Sequence, residues 1–160
     1  MVSQEEFIER YGDVYENSPW VAQGCWPKGA DTDSVEALAG LMARVVDRAG
    51  RTRQLALIRA HPDLAGRLAV SGELTQSSTS EQSSAGLDQC SAEEFSQFQA
   101  LNEAYTKKFS FPFVMAVRDS NRQEILAAFR KRLENNYAQE FEKAISEIHK
   151  IARLRLEQLF

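Results

Sequence analysis

Three ionisable side chains in this sequence have the types and positions that acid–base chemistry on an anion requires. His61 is one of only two histidines in 160 residues, and imidazole, with an ordinary pKa of about 6.5, exchanges protons near neutrality. Glu81 supplies a carboxylate, and Arg155 supplies a guanidinium that can grip an anion through paired hydrogen bonds. Together they predict proton transfer on a small anionic substrate.

His61 stands immediately before Pro62, at the predicted entrance of a helix. Helical geometry is disfavoured for the residue before a proline, whereas proline itself fits a first helical turn. The ring is therefore expected to point off the helix axis and to lie outside a packed face. A structural interpretation stays open, in which the imidazole caps a helix or bonds a backbone group.

Glu81 and Arg155 also have structural interpretations. Ser78-x-x-Glu81 has the spacing of a capping box, in which Glu81 would only return a hydrogen bond to the helix start. Arg155 falls in register with an apolar stripe on the last predicted helix, and a guanidinium facing a core needs an anion. That anion is either an internal carboxylate or a substrate carboxylate. The stripe comprises Phe141, Ile145, Ile148, Ala152 and Leu159.

The composition excludes several classes of protein. A net charge of −4 argues against nucleic-acid binding, and no apolar run approaches the roughly 20 residues of a membrane span. The first residues lack the pattern of a signal peptide, so a cytoplasmic location is expected. Two cysteines and two histidines, without metal-ligand spacing, argue against a metal site. No motif for a pyridoxal or thiamine cofactor is present, and no cofactor is expected.

Helical periodicity recurs along the chain and predicts a single all-α domain over residues 1–160, with about seven to nine helices. The strand-like run 111–117 contains Pro112 and lacks a convincing partner strand, which predicts an extended buried segment. The serine-rich stretch 75–80 has a linker-like composition, but the adjacent capping signal favours a helix. A short helix or turn is expected to end near residues 71–72, and the last helix is expected at 137–159. The predicted helix starts are Ser3-x-x-Glu6, Asp33 or Ser34, Ser78-x-x-Glu81, Ser91-x-x-Glu94, and Ser120 or Asn121.

Several segments, in order along nearly the whole chain, resemble the OHCU decarboxylases, which act on 2-oxo-4-hydroxy-4-carboxy-5-ureidoimidazoline in urate degradation. The segments are 60–67 (AHPDLAGR), 71–75 (SGELT), 78–87 (containing EQ-x-x-AGL), 111–114 (FPFV) and 151–156 (IARLRL). The combination is specific because each segment occurs at the spacing that the family shows. Ala60, where many members have cysteine, is a modest departure.

The resemblance implies an all-α, often homodimeric enzyme that converts OHCU to (S)-allantoin and carbon dioxide without a cofactor. By position, it implies that His61 is the catalytic acid or base, that Glu81 polarises or holds the substrate, and that Arg155 binds its anionic end. The positions implied to contact the ligand are Pro62, Ser78, Gln82, Phe113, Val114, Met115, Ala116 and Val117.

Two alternatives stay open beside this hypothesis. A non-catalytic helical interaction module would use the His-Pro turn structurally and present its aromatic residues to a partner. A hydrolase acting on the same kind of ring would need a metal or an activated nucleophile, and the sequence shows no motif for either.

Overall fold

A computed structural model describes residues 2–65 and 74–160 of the chain. These residues form eight α-helices and no strand, which confirms the predicted all-α fold. None of the described helices has the length and apolar character needed to cross a membrane. The helix or turn predicted to end near residues 71–72 lies outside the described residues. The helices are α1 (Gln4–Tyr11), α2 (Trp20–Cys25), α3 (Val35–Arg48), α4 (Arg51–Arg59), α5 (Gln76–Ser84), α6 (Ala92–Phe109), α7 (Arg122–Arg132) and α8 (Tyr137–Leu159), with 3-10 helices at Lys28–Asp31 and Leu87–Gln89.

The chain divides into two compact units. The first unit consists of Met1–His61 and Ile145–Phe160, and the second unit consists of Pro62–Ala144. The first unit therefore contains α1 to α4 and the carboxyl-terminal part of α8. The second contains α5, α6, α7 and the first residues of α8.

Most predicted helix starts are confirmed by the capping side chains. Ser3 and Ser91 each form a complete capping box, in which the serine oxygen accepts a first-turn N–H and a glutamate returns a bond to the serine N–H. Ser34 and Asn121 are the N-caps where the sequence left two candidates open. Each cap satisfies an N–H group that the helix itself leaves without a partner.

The predicted start of α5 at Ser78 is wrong. The N-cap is Thr75, whose backbone is extended and whose Oγ1 accepts a hydrogen bond from the Ser78 N–H at 3.2 Å. The helix begins three residues earlier than predicted because Thr75 offers an equally good capping hydroxyl, and the serine-rich stretch is helical. Glu81 consequently lies within the helix and is not the reciprocal partner of a capping box.

The core of the second unit is aromatic and surrounds the extended segment. Phe111, Phe113, Val114 and Val117 are buried, which confirms the predicted extended buried segment at 111–117. The Phe113 ring stacks on Phe129 of α7 with centroids 3.9 Å apart and planes 10° apart. Aromatic contacts of this kind add stabilisation beyond the burial of their area.

A buried ionic network links the extended segment to α7 and α8. Arg132 donates from Nε to Glu140 Oε1 at 2.8 Å and from Nη1 to the Val114 carbonyl at 2.6 Å. Tyr105 donates to the same Glu140 oxygen at 2.6 Å, and Asn135 donates to the other at 2.9 Å. Glu140 is completely buried, so these bonds replace its lost hydration. Burial raises the pKa of Tyr105, which keeps its hydroxyl a donor.

Replacing Glu140 with alanine is expected to lower the free energy of unfolding by about 3–5 kcal/mol, because it leaves the Arg132 charge buried without its carboxylate. Urea denaturation followed by circular dichroism measures this loss. The control is Glu36→Ala, since the Glu36 carboxylate pairs with Arg153 at 3.0 Å on the exposed surface, where such pairs contribute about 0–1 kcal/mol. Equal losses in the two variants would contradict the importance of this network.

Candidate active site

His61 is a buried residue at the end of a helix. It follows α4, its N–H donates to the Ile58 carbonyl at 3.1 Å, and its exposed fraction is 7%. Residues 62 and 63 have no regular structure and residues 64 and 65 lie in a turn, so Pro62 does not stand in a helical turn, and the rest of the helix predicted after it lies outside the described residues. The prediction that the ring lies outside a packed face is wrong, because the His61 side chain is buried.

The tautomer of His61 follows from its hydrogen bond. Nδ1 lies 2.8 Å from the Leu57 carbonyl oxygen, which can only accept, so Nδ1 carries the proton and donates. In this neutral tautomer Nε2 has no proton, and its lone pair can accept one. The backbone bond predicted by the structural interpretation is present, and it also orients the ring as a base.

Burial lowers the pKa of His61 to about 4, with the loss of hydration as the largest cause. The hydrogen bond to Leu57 and the charge of Glu16 oppose this shift, whereas the charge of Arg155 adds to it. The imidazole is therefore neutral at neutral pH. In acid–base chemistry a neutral imidazole acts first as a proton acceptor, and its accepting nitrogen becomes a donor only after it has taken up a proton.

Arg155 occupies the core-facing register that the sequence predicted, and it has an internal carboxylate partner. Its side chain is 5% exposed, and Nη2 donates to Glu16 Oε2 at 2.7 Å. Nη1 donates to the Val14 carbonyl at 3.3 Å and to the Asp13 carbonyl at 3.4 Å. His61, Glu16 and Arg155 all belong to the first unit, and both charges act on the imidazole. Arg155 and Glu16 thus form a buried ion pair, and the charges of both residues act on the buried ring of His61.

Glu16 was not identified in the sequence. It is 2% exposed and lies in the segment between α1 and α2, in a turn that follows Tyr15. The only signal pointing to it was the need of Arg155 for an anion, which does not say where in the chain that anion lies. The Ser18 hydroxyl donates to the Glu16 carbonyl at 2.8 Å and fixes the backbone of this segment.

The segment that carries Glu16 is anchored by a second chain of hydrogen bonds. Burial raises the pKa of Tyr15, so its hydroxyl stays protonated, and it forms a hydrogen bond with His149 Nδ1 at 2.7 Å. His149 Nε2 in turn lies 3.1 Å from Asp47 Oδ1 on α3. This arrangement connects α8, α3 and the Glu16 segment within the first unit, and it restricts the position of the glutamate backbone.

Glu81, the third predicted catalytic residue, lies in the second unit. It is 9% exposed on α5, and its Oε2 lies 3.7 Å from Arg118 Nη2. Ser78, one turn earlier on α5, is also buried. Arg118 directly follows the extended segment, so this ion pair joins α5 to that segment. Sequence reasoning missed Arg118, although it adjoins the predicted ligand-contacting run.

Gln82 holds the turn that follows Pro62. Its Oε1 accepts from the Ala65 N–H at 2.9 Å, and its Nε2 donates to the Asp63 carbonyl at 3.3 Å. Asn102 of α6 donates from Nδ2 to the Leu64 carbonyl at 2.9 Å. Ala65 has a φ of 50°, which is unfavourable for a residue with a Cβ and persists where neighbouring groups hold it. These side-chain amides form an amide clamp on the turn 63–65.

The remaining predicted ligand-contacting residues belong to the extended segment. Phe113, Val114 and Val117 are buried, whereas Met115 and Ala116 are half-buried. A cavity of about 620 Å³ in the second unit is bordered by Gln82 but by none of the three predicted catalytic residues. No group of three or more His, Cys, Asp or Glu side chains that could hold a metal ion occurs within residues 2–65 and 74–160.

Comparisons with known proteins define the class to which this helical fold and its buried histidine belong. The family model described as OHCU decarboxylase matches residues 1–157. A 2-oxo-4-hydroxy-4-carboxy-5-ureidoimidazoline decarboxylase of Haloferax volcanii is 43% identical over 99% of this chain and 92% of its own length. That of Xenopus laevis is 35% identical over 99% of this chain and 90% of its own length.

Two solved structures have the same fold. The crystal structure of an (S)-allantoin synthase aligns with a TM-score of 0.79 and 28% identity over 99% of this chain, which spans about half (51%) of that longer chain. A crystal structure of OHCU decarboxylase in the presence of (S)-allantoin aligns with a TM-score of 0.72 and 25% identity over 94% of this chain and 97% of that one. The chain belongs to the OHCU decarboxylase family. This membership confirms the sequence-based identification of a carboxy-lyase.

The neutral state of His61 can be observed directly, because the chain has only two histidines. In ¹⁵N-detected titrations of histidine-labelled protein, His61 is expected to stay neutral at pH 6, with the proton on Nδ1. A His149→Gln variant assigns the signals. A protonated His61 ring at pH 6 would contradict the lowered pKa. Because the unfolded ring binds a proton below about pH 6.5 and the folded ring only near pH 4, the stability contributed at this position falls as the pH drops through that window.

Proposed function

We propose that this protein decarboxylates OHCU to (S)-allantoin, and that residues 1–160 act as one decarboxylase domain. The observation that carries the proposal is a buried, neutral and oriented imidazole under the influence of the buried Arg155–Glu16 pair, in a member of this family. The names of the relatives support the reaction, and so does the solved relative studied in the presence of (S)-allantoin. The imidazole and the guanidinium supply the base and the cation that loss of a carboxylate from a small anion requires.

The substrate itself serves as the electron sink in the proposed mechanism. When the bond to the carboxylate breaks and carbon dioxide leaves, the electron pair enters the conjugated ring of OHCU. The hydroxyl on the same carbon then loses its proton to form a carbonyl group, and a ring carbon is protonated. The anion takes up one proton overall as it becomes neutral allantoin and carbon dioxide.

We propose one role for each of the three residues, and the state of each residue in the structure supports it. His61, neutral at the start, accepts the hydroxyl proton at Nε2 and returns a proton to carbon. Arg155 orients the substrate carboxylate, and Glu81 holds the polar groups of the ring or ureido arm. Delivery of the proton from one side yields a single enantiomer, which the reaction in water cannot enforce. We assign ligand contacts to Pro62, Ser78, Gln82, Phe113, Val114, Met115, Ala116 and Val117.

The reaction is tested by supplying enzymatically generated OHCU and following circular dichroism. Optically active allantoin is expected to appear faster than in the protein-free control. His61→Asn is expected to lower turnover by about a hundred- to ten-thousand-fold, the usual contribution of general acid–base catalysis. The asparagine amide can still donate to the Leu57 carbonyl, so the fold is expected to persist.

The matched control is Arg153→Gln, since Arg153 is an exposed arginine two residues from Arg155 on α8. It is expected to retain full activity, whereas Arg155→Gln is expected to raise KM. Racemic product at the background rate from the unmodified protein would refute the proposed function and favour a helical interaction module. Unchanged turnover by His61→Asn would remove the histidine from the mechanism.

We further propose a cytoplasmic homodimer. Both cysteines, Cys25 and Cys90, are free thiols, as is usual in a reducing compartment. The dimer is supported by the family resemblance. Light scattering during size-exclusion chromatography is expected to give twice the 18.0 kDa mass of one chain. A mass of 18.0 kDa across micromolar concentrations would contradict the dimer.

A further inference from the structure

We propose that Glu16 is a positioning residue for decarboxylation. It holds the Arg155 guanidinium in place and offsets its charge. Arg155 can then orient the substrate carboxylate without binding it so tightly that the loss of carbon dioxide is slowed. The inference rests on the proposed function, in which Arg155 meets that carboxylate. It assigns a reaction role to a carboxylate that neither touches the reacting atoms nor exchanges their protons.

The geometry fixes the guanidinium on two sides. Nη2 of Arg155 is 2.7 Å from Glu16 Oε2, and Nη1 donates to the carbonyls of Val14 and Asp13. The side chains of Arg155 and Glu16 are 5% and 1% exposed, so little water competes for these bonds. All of these acceptors lie in the short segment that the Tyr15–His149 hydrogen bond anchors. The arginine is therefore held in one orientation before any substrate arrives.

The charges explain why such a partner favours the reaction. Arg155 and Glu16 together are neutral, and a substrate carboxylate adds one negative charge. During decarboxylation that charge leaves the carboxylate and moves into the ring. A buried cation without a counter-charge would stabilise the carboxylate of the ground state more than the transition state, which tightens binding and slows turnover. Glu16 reduces this excess stabilisation while preserving the direction of the guanidinium.

A purely structural role for Glu16 makes a different prediction. If the carboxylate only neutralises a buried arginine, its replacement destabilises the fold but leaves KM and kcat unchanged in the molecules that remain folded. If it moderates the charge of Arg155, the two kinetic parameters change together. Measuring KM and kcat separately therefore distinguishes the two roles of Glu16, whatever the effect of the substitution on stability.

The decisive variant is Glu16→Gln, which keeps an oxygen that can accept from Arg155 but removes the negative charge. We expect KM for OHCU to fall, and kcat to fall with it, each on the order of tenfold, as for a residue that weakens ground-state binding. Binding of a non-decarboxylating analogue that retains the carboxylate is expected to tighten by a similar factor. Binding of allantoin, which carries no carboxylate, is expected to change little.

The matched control is Glu36→Gln, which removes the same charge from a carboxylate that pairs with the exposed Arg153 on α8. It is expected to leave KM and kcat unchanged. If Glu16→Gln does not fold, Glu16→Asp replaces it, since the shorter side chain retains the charge but lengthens the ion pair. The same direction of change, at smaller size, is expected there.

Unchanged KM and kcat in a folded Glu16 variant would overturn the proposal and leave a structural counter-ion. A rise in KM would overturn it as well, because it would show that the glutamate strengthens binding of the carboxylate. If the unmodified protein does not decarboxylate OHCU, the proposed function fails and this inference falls with it. If the unmodified protein is active but KM and kcat do not both fall in Glu16→Gln, only the role of Glu16 is refuted.

Discussion

The cost of burying a guanidinium governs how the first unit of this protein is built. Arg155 lies on the buried face of α8 and is almost completely removed from water. A charge in that position requires an opposite charge and further hydrogen bonds, or it would destabilise the fold. Glu16 and two backbone carbonyls meet this requirement, and the segment that carries them is fixed by Tyr15, His149 and Ser18. The same pair affects His61: burial is the main cause of its lowered pKa, and the charges of Glu16 and Arg155 also act on the ring.

The second unit contains a buried pair of the same chemistry with a different consequence. Arg132 binds Glu140 and the carbonyl of Val114, and its guanidinium lies 4.3 Å from the centroid of the Phe113 ring. This pair holds an extended segment whose backbone has no neighbouring strand among the described residues. A segment without a ladder of hydrogen bonds needs other partners for its polar backbone groups. The arginine supplies one such partner, and the aromatic rings on either side supply apolar contact.

The sequence predicted what periodicity and capping chemistry encode locally. It placed α8 at 137–159 and Arg155 on its buried face, and it identified Ser3 and Ser91 as capping boxes. It could not place Glu16, because the partner of a buried charge is chosen by tertiary packing. The start of α5 was missed since Thr75 and Ser78 are equally capable caps, and a local pattern does not choose between them; in the structure Thr75 is the cap and Ser78 is buried within the helix. The burial of His61 was likewise missed, because the His-Pro pattern predicts a break in the helix but not what packs around the ring.

The amide clamp on residues 63–65 gives that turn an unusual independence from solution conditions. Gln82 and Asn102 hold it through neutral side chains, and Ala65 keeps its left-handed backbone under their constraint. An amide has no charge to titrate and none for dissolved ions to screen, so the bonds keep their strength in acid or in brine. The same neutrality makes each amide hard to replace. A carboxylate in place of the Asn102 amide would remove a donor and put an anion against the Leu64 carbonyl, so Asn102→Asp, although nearly identical in shape, would turn an attraction into a repulsion at this turn.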